Sequence, residues 1–542
     1  MAENSNTDPR GDEEVSGQVK PEDLPPESVT EGILLETPAA DVTSGPAGPV
    51  NEQVENITKM DRRAVERGFA WTAFFSIFSK VLFPLAGLYV SRHLGPAIMG
   101  ISGMLLQIIS LSEVLRDAGL SQSYMVEHNL DRKRLGSYMS MSLLMGIIPA
   151  VLLVAFTPFM ADFFRTPELL YALPIVAGLV LLNSATTIPA AKMLKEGRIK
   201  EQGMIGVIAS GIALATCIVM VRLGYGFVSI MTQIVVASVI ANTVMFLRSP
   251  VTVFHWSRAA FAENFRRSGA LLAANGINNL FLQADLFVIA RMIDKTATGL
   301  YNTAQNVAYK PADLISFPLA KVLMVAFGQS TKDLDKLATN FTRAITAVVL
   351  FVTPIYLVIG FCSDAIIWLL YADKFVGAIT TMSILSIYLG VRTLGNVAGH
   401  ALVPAGKHAW TLYPWILAVA VTIAGLFLTY RPTHPHYSLE TIVWCFTAGA
   451  LCVYIIIVGV AFHFLRPKGP EVGRLKKSIW ATLATGVLIG VIHYLPIGMY
   501  ERFGLTVAIA PVFHFILIGM LFDGKWNTYL NRRGPKQLLR KL

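Results

Sequence analysis

From residue 60 onward, apolar stretches long enough to cross a lipid bilayer follow one another, with only short polar connections between them. A spanning helix needs about 20 mostly apolar residues, and its backbone polar groups must be satisfied inside the helix because lipid offers no partners. The pattern therefore predicts an all-α polytopic membrane protein with about 14 transmembrane helices. The predicted spans are 68–92, 99–126, 137–160, 168–191, 203–222, 225–247, 268–292, 297–325, 339–361, 376–402, 409–430, 438–464, 477–495 and 503–522.

The basic residues of the connections indicate which side of the membrane each connection occupies. Cytoplasmic connections of membrane proteins are enriched in Lys and Arg. The connections on the side of the two chain ends hold 30 Lys and Arg, whereas those on the opposite side hold eight. An error of one helix would invert every later connection and remove this asymmetry. The sequence therefore predicts a multi-pass protein with both termini in the cytoplasm.

The segment that precedes the first span differs in composition from the rest of the chain. Residues 1–58 hold 13 Asp and Glu but only two Lys and Arg, and apart from Ile33–Leu35 they offer little to bury. Such a composition is typical of a disordered tail, here acidic and cytoplasmic. Only 15% of the whole chain is charged, against about 25% in soluble domains. The basic excess of the remaining chain therefore belongs to a membrane body and does not indicate a nucleic-acid partner.

A short internal repeat divides the membrane body. LYVSRHLGPAIMGI (88–101) aligns without gaps on FVIARMIDKTATGL (287–300), at an offset of 199 residues that pairs Gly100 with Gly299. Six helices return the chain to its starting side, so the two halves form a parallel repeat about an axis along the membrane normal. The predicted parts are an N-terminal six-helix lobe (59–248), a cytoplasmic amphipathic connection (249–267), a C-terminal six-helix lobe (268–465), and two additional helices with a basic cytoplasmic C-terminus (466–542).

Five basic side chains fall inside predicted spans, namely Lys80, Arg116, Lys310, Lys321 and Arg392. A charge at the bilayer centre costs about 2.5–3.5 kcal/mol on insertion scales, so such residues face a bundle interior or an aqueous cavity and mark transport pathways. Lys321 is near the inner boundary, where snorkelling of its long side chain explains it equally well. We expect the other four to line a cavity between the lobes and to bind phosphate or acidic sugars of a substrate.

Four carboxylates share the spans with these cations, namely Glu113, Asp117, Asp285 and Asp313. We expect them to neutralise the cations when cargo leaves, or to couple transport to a gradient by binding a proton or a sodium ion. The alternative is internal locking, because Glu113 and Asp117 are close to Arg116 on one helix, and Asp313 is three residues from Lys310. Tryptophans near helix ends, Trp415 among them, are expected to be interfacial anchors.

The chain shows little that would carry covalent chemistry. We find no metal-ligand cluster, Gly-rich phosphate loop or nucleophile motif in the sequence, and the four cysteines lie in or at the ends of apolar runs without zinc or redox spacing. The sequence therefore predicts a protein that is not an enzyme, with no catalytic residue, no metal site and no cofactor other than a coupling proton or sodium ion.

Three segments carry a family resemblance: LGPAIMG (94–100), VLRDAGLSQSYM (114–125) and ADLFVIARMIDKTATGLYNTAQNVAYKPADLISFPLAKVL (284–323). They resemble the polysaccharide-exporter branch of the multidrug/oligosaccharidyl-lipid/polysaccharide superfamily, which contains O-antigen flippases, over about residues 65–525. The resemblance implies a flippase that moves polyprenyl-diphosphate-linked oligosaccharides across a bacterial inner membrane, for lipopolysaccharide, capsule or exopolysaccharide, by alternating access. Its implied partners are that lipid-linked substrate, membrane lipids, and the polymerase and chain-length regulator of the pathway.

Three other functions remain open at this stage. A lipid II flippase and a multidrug antiporter are built on the same scaffold, and the sequence does not separate the first of these from an oligosaccharide flippase. A membrane glycan polymerase or ligase belongs to a different class and would need a catalytic group on an external connection. The external connections of this chain are short and almost featureless, which disfavours the enzymatic alternative.

Overall fold

The computed structural model describes residues 87–117, 119–127, 131–251, 254–258, 261–262, 283–328, 333–405, 407, 410, 413–429 and 437–521, without the side chains of 122, 126, 313–326 and 328. The predicted tail (1–58), Lys80 and nine of the 19 residues of the connection 249–267 lie outside them.

The described residues are mainly helical. Before residue 250 the helices are α1 (87–94), α2 (Pro96–Asp117), α3 (Leu120–Val126), α4 (Arg132–Phe163), α5 (Leu169–Lys195), α6 (Ile199–Arg222) and α7 (Phe227–Arg248). After residue 280 they are α8 (283–292), α9 (Lys295–Gly328), α10 (Leu334–Phe351), α11 (Thr353–Phe361), α12 (Ser363–Tyr371), α13 (Ile379–Leu402), α14 (Tyr413–Thr429), α15 (Leu439–Leu465), α16 (Pro470–His493) and α17 (Met499–Leu521).

Ten helical segments within the described ranges are long and apolar enough to cross a bilayer, which confirms the all-α polytopic membrane fold. The predicted spans 68–92 and 268–292 lie mostly outside the described residues, so the total of 14 stays a prediction. Two of the described helices begin at a side-chain cap. At the start of α15, the Ser438 hydroxyl accepts a hydrogen bond from the backbone N–H of Thr441 at 3.2 Å. At the start of α10, a hydrogen bond from the backbone N–H of Lys336 lowers the pKa of the Asp333 carboxyl.

Two predicted spans differ from the observed helices. The span 99–126 is interrupted at Gly119, whose φ of 76° is left-handed, so that α2 and the short α3 are separate helices. The span 339–361 is divided at Val352 between α10 and α11, and the nine-residue helix α12 follows it. A 3₁₀ helix, Asp373–Ala378, follows α12 and leads into α13.

Helices of each half pack mainly on one another. In the first half α4 packs on α5 and α6 packs on α7; in the second half α13 contacts α9 and α15. The trailing helices α16 and α17 pack on each other, and buried polar groups attach them to α10. The Thr482 hydroxyl donates to the carbonyl of Val349 at 2.9 Å, and His514 Nε2 lies 2.8 Å from the carbonyl oxygen of Leu350.

The two halves meet where α2 packs on α9, and glycines set the distance between these helices. A Cβ on Gly100 would lie 1.9 Å from the carbonyl oxygen of Lys295, and one on Gly299 would lie 1.7 Å from that of Pro96. Pro96 and Lys295 are related by the same 199-residue offset as the two glycines. The contact is therefore reciprocal, as a two-fold axis between repeats requires.

Charged side chains join the halves at the same end of the bundle, which the sequence predicts to face outward. Arg92 Nε donates to the carbonyl of Leu370 at 2.7 Å, within the last turn of α12, where a cation complements the helix dipole. Lys295 Nζ lies 3.1 Å from Glu168 Oε1. These exposed polar contacts add little stability on their own, so the glycine packing dominates the contact between the halves at this end.

Replacing Gly100 with Leu should destabilise the protein by about 1–3 kcal/mol, because the new side chain overlaps backbone atoms of α9 that cannot rotate away. Thermal unfolding of the purified protein in detergent, followed by tryptophan fluorescence, measures the change. Gly206→Leu is the matched control, since a Cβ at Gly206 on α6 meets no atom within 4 Å. Equal melting temperatures for the two variants would contradict close packing at Gly100.

Candidate functional site

Arg392 of α13 lies among tyrosines inside the second half. Its guanidinium carbon is 4.9 Å from the ring centroid of Tyr309 on α9, and Tyr388 and Tyr454 flank the same charge. A desolvated cation above an aromatic face is stabilised by about 2 kcal/mol or more through its attraction to the ring. Arg392 Nη1 is buried, and no described group accepts a hydrogen bond from it. The cluster thus holds a buried positive charge with one unused donor.

Asp285 of α8 borders the same tyrosines. Its carboxylate accepts a hydrogen bond from the hydroxyl of Tyr301 and another from the backbone N–H of Leu286 at 2.7 Å. Asp285, Tyr309 and Thr447 are among the residues that line a cavity of about 30 Å³. A space of this size holds about one water molecule and excludes a sugar. The arrangement therefore suits a proton or a single small ion and not the oligosaccharide itself.

The structure brings Asp285 and Arg392 to the same group of tyrosines from helices more than 100 residues apart in the chain. From the sequence, both residues are expected between the lobes. Every described residue that lines the small cavity belongs to the second half of the chain. Hydropathy shows that a charge avoids lipid, but not which protein interior receives it.

Arg116 takes part in a different polar network, within the first half. Its Nη1 donates to the carbonyl of Asn183 at 3.0 Å and to the hydroxyl of Thr187, both on α5. The side-chain amide of Asn242 on α7 donates to Asn183 Oδ1 at 2.5 Å. Arg116 therefore connects α2 to α5, and the network continues to α7. Its role in this structure is to hold helices of one half together.

The alternative of internal locking by Glu113 and Asp117 is not realised as a direct contact at Arg116. All three side chains are described, and Arg116 makes no ion pair within 4 Å with either carboxylate. The Glu113 side chain is exposed, and the Asp117 carboxylate accepts a hydrogen bond from the hydroxyl of Ser121. Arg116 bonds instead to groups on α5, which helical spacing alone cannot reveal.

Lys310 lies near the middle of α9, the helix that packs on the opposite half, and its side chain is exposed. An exposed ammonium in mid-span is costly in lipid, and water is the environment that would stabilise it. The partner expected from helical spacing, Asp313, and the cation Lys321 have side chains outside the described set, and Lys80 lies outside it altogether. Three of the four predicted cavity cations are described, and of these three Lys310 is the exposed one.

The aromatic residues around Arg392 are the part of the site that the sequence analysis misses. Tyr388 precedes Arg392 by four residues and so shares its helix face, a signal that could have found it. Trp415 is expected to be an interfacial anchor. Its ring instead packs edge-on against Tyr454, with the centroids 5.9 Å apart, and it lines the small cavity.

The variants Arg116→Met and Lys310→Met distinguish a cation that bonds to a neighbouring helix from a cation that is exposed. Loss of Arg116 removes two hydrogen bonds from a charged donor, each worth about 1.5–3 kcal/mol, and leaves polar groups of α5 without their partner. We expect a clearly lower melting temperature for Arg116→Met and an unchanged one for Lys310→Met, by thermal unfolding in detergent. A stable Arg116→Met protein would show that the network does not hold the first half together.

Comparison with solved structures shows the fold. The lipid II flippase MurJ in an inward closed conformation matches with a TM-score of 0.66 and 12% identity, over 83% of this chain and 98% of that one. An inward-facing multidrug resistance transporter of the MATE family, from the MOP superfamily, matches with a TM-score of 0.56 and 15% identity, over 73% of this chain and 96% of the other.

Comparison with curated proteins gives relatives of low identity. The chain is 24% identical to the lipopolysaccharide biosynthesis protein WzxC of Escherichia coli, over 63% of this chain and 70% of WzxC. It is 20% identical to the succinoglycan biosynthesis transport protein ExoT of Rhizobium meliloti, over 62% of this chain and 68% of ExoT. A family model described as polysaccharide biosynthesis protein matches residues 89–380, more than half of the chain. With this match and the fold described above, the chain belongs to the polysaccharide biosynthesis protein family.

Proposed function

We propose that the protein is a flippase that carries polyprenyl-diphosphate-linked oligosaccharides across the bacterial inner membrane by alternating access. The oligosaccharides are units of a lipopolysaccharide, capsule or exopolysaccharide, in keeping with the names of its relatives. The observation that carries the proposal is Lys310, an exposed cation in mid-helix on a segment that packs against the other half. A diphosphate passing between the halves would meet this charge, which acts on phosphate as a point charge.

The Asp285–Arg392 cluster supports a separate role in coupling. Protonation of Asp285 would remove the negative charge beside Arg392 and weaken the hydrogen bond from Tyr301, so the packing of α8, α9 and α13 would respond to a proton. A sodium ion would be repelled by the guanidinium in the same low-dielectric interior. We therefore propose the proton as the coupling ion and Asp285 as its carrier.

The remaining candidate carboxylates and cations have lesser parts in this proposal. Glu113 is exposed on the same helix as Arg116, and in this proposal it borders the aqueous pathway. Asp117 bonds to Ser121 and Arg116 bonds to α5, so both support the first half. Lys80 and Asp313 keep their predicted places in the cavity as part of the proposal. The polymerase and chain-length regulator of the pathway remain its proposed partners.

Lys310→Met should slow translocation of a fluorescent lipid-linked oligosaccharide at least about tenfold, which corresponds to 1.4 kcal/mol of lost stabilisation. The measurement uses purified protein in vesicles, with the fraction of label protected from an external quencher followed over time. Lys336→Met, at an exposed position in the first turn of α10, is the matched control. Lys310→Arg should retain activity because it keeps the charge. Equal rates for Lys310→Met and the native protein would contradict a role in transport.

The same vesicles distinguish the alternative functions. The proposal predicts that lipid II and a lipophilic cationic drug move no faster than in protein-free vesicles. Transport of lipid II without transport of the oligosaccharide would replace the proposal with the lipid II alternative, and drug transport alone would favour an antiporter.

Asp285→Asn should abolish the acceleration of translocation by an imposed pH gradient, because the amide cannot take up the proton. Transport down a substrate gradient should remain measurable in this variant. Asp373→Asn, exposed in the 3₁₀ helix before α13, is the control for loss of a carboxylate elsewhere. Full pH stimulation of Asp285→Asn, or acceleration by sodium alone in the native protein, would overturn the proposed coupling.

A further inference from the structure

A second and much larger cleft lies on the other side of α8 from the Asp285 cluster. It has a volume of about 350 Å³ and is lined by α2 and α4 of the first half together with Phe287 of α8. Residues two apart on a helix are rotated by about 200° about the helix axis, so their side chains point in nearly opposite directions. Phe287 therefore faces away from the side of α8 that carries Asp285. The cleft therefore lies between the two halves and is separate from the coupling site.

The lining of this cleft is hydrocarbon. Ser112 carries the one polar side-chain group among the lining residues, and its hydroxyl already donates to the carbonyl of Ile108 at 2.8 Å. Phe156 and Phe159 of α4 line the cleft, yet they are 52% and 61% exposed. The cleft is thus open to the surface, and its described lining offers a ligand aliphatic and aromatic contact without a free hydrogen-bonding group.

A positive charge stands at one end of the cleft. Arg291 follows Phe287 by one helical turn and so shares its face of α8. The Arg291 guanidinium carbon lies 5.0 Å from the ring centroid of Phe163, which in turn stacks on Phe159 at 5.7 Å. Arg291 is itself exposed. An apolar channel that ends at an exposed guanidinium fits an amphiphile with a long hydrocarbon chain and an anionic head group.

We propose that this cleft binds the polyprenyl chain of the lipid-linked substrate, with its diphosphate directed toward Arg291. The inference rests on the proposed function. A molecule whose head group passes between the halves must leave its chain at an opening between them, and the cleft is bounded by helices of both. Arg291 belongs to the end of the bundle that the sequence predicts to face outward, so this geometry suits the lipid after translocation.

The test uses a photoreactive polyprenyl diphosphate without sugar, added to the full-length protein in vesicles of phosphatidylethanolamine and phosphatidylglycerol. The label should map to α4 between residues 149 and 164. Unlabelled polyprenyl diphosphate should displace it at least about tenfold more effectively than added phosphatidylglycerol, a difference of 1.4 kcal/mol in binding. Label spread evenly over the lipid-facing helices, or equal displacement by phosphatidylglycerol, would show an ordinary lipid surface and overturn the proposal.

Two variants of α4 make the test specific to the cleft. Leu152→Trp fills it and should reduce labelling about fivefold or more, which corresponds to about 1 kcal/mol. Val151→Trp, at the neighbouring residue that is 60% exposed but does not line the cleft, should leave labelling unchanged. Equal labelling of both variants would contradict the site, and the competition experiment on the native protein does not depend on either variant folding.

The outcome is independent of transport, because the probe has no oligosaccharide and binding is measured without translocation. Localised labelling in a protein that fails to move any oligosaccharide would contradict the proposed function but support a polyprenyl diphosphate site. Oligosaccharide transport without localised labelling would support the proposed function but contradict this site. Arg291→Gln provides a last check. It should weaken labelling by the diphosphate probe but leave labelling by an uncharged polyprenol probe unchanged. An equal loss of labelling for both probes would contradict a role of Arg291 in binding the head group.

Discussion

A charged side chain cannot remain in the hydrocarbon of a bilayer without a partner or water, and this constraint organises the interior of the protein. The structure satisfies it in three ways. Arg116 donates hydrogen bonds to a neighbouring helix, Arg392 lies against aromatic rings, and Lys310 is exposed. The first stabilises the first half, the second creates an isolated charged pocket with Asp285, and the third implies a water-filled space. The different roles of the three cations therefore follow from the different surroundings that satisfy their charges.

The reciprocal glycine contact joins the two halves at one end of the bundle. Because Gly100 and Gly299 allow α2 and α9 to touch at one end, the halves are closed there, and polar contacts such as Arg92 to the carbonyl of Leu370 add to the same closure. In an alternating-access cycle this contact has to separate. Small residues at the interface suit such a step, since they give close packing without interlocked side chains.

Much of the fold is predictable from the sequence, because window-averaged hydropathy measures the free energy of transfer that decides which segments cross the membrane. The offset that pairs Gly100 with Gly299 even identifies two glycines that meet in the structure. Local backbone conformation is harder to foresee. The left-handed φ at Gly119 splits a long apolar segment, and hydropathy is insensitive to a single residue of that kind.

The site is less predictable than the fold. The sequence shows that Arg116, Lys310 and Arg392 lie within spans, but not how each helix is rotated about its axis, which packing against neighbouring helices decides. The pairing of Arg116 with Glu113 satisfies helical spacing and yet gives way to the carbonyl of Asn183 on another helix. Tyr309 and Tyr454 become neighbours of Arg392 only through tertiary packing, so their part in the site could not be inferred from spacing.

The central claim is that Lys310 faces a water-filled space between the two halves, and its accessibility to water tests this most directly. A protein with its native cysteines replaced and a single Lys310→Cys change is treated with a membrane-impermeant thiol reagent in vesicles. Val219→Cys, on α6 at a residue that is 57% exposed, reports a surface that faces lipid. The account predicts that Cys at 310 reacts at least about tenfold faster than Cys at 219, because a thiolate forms readily in water and poorly in lipid. Equal protection of the two positions would contradict an aqueous pathway at Lys310.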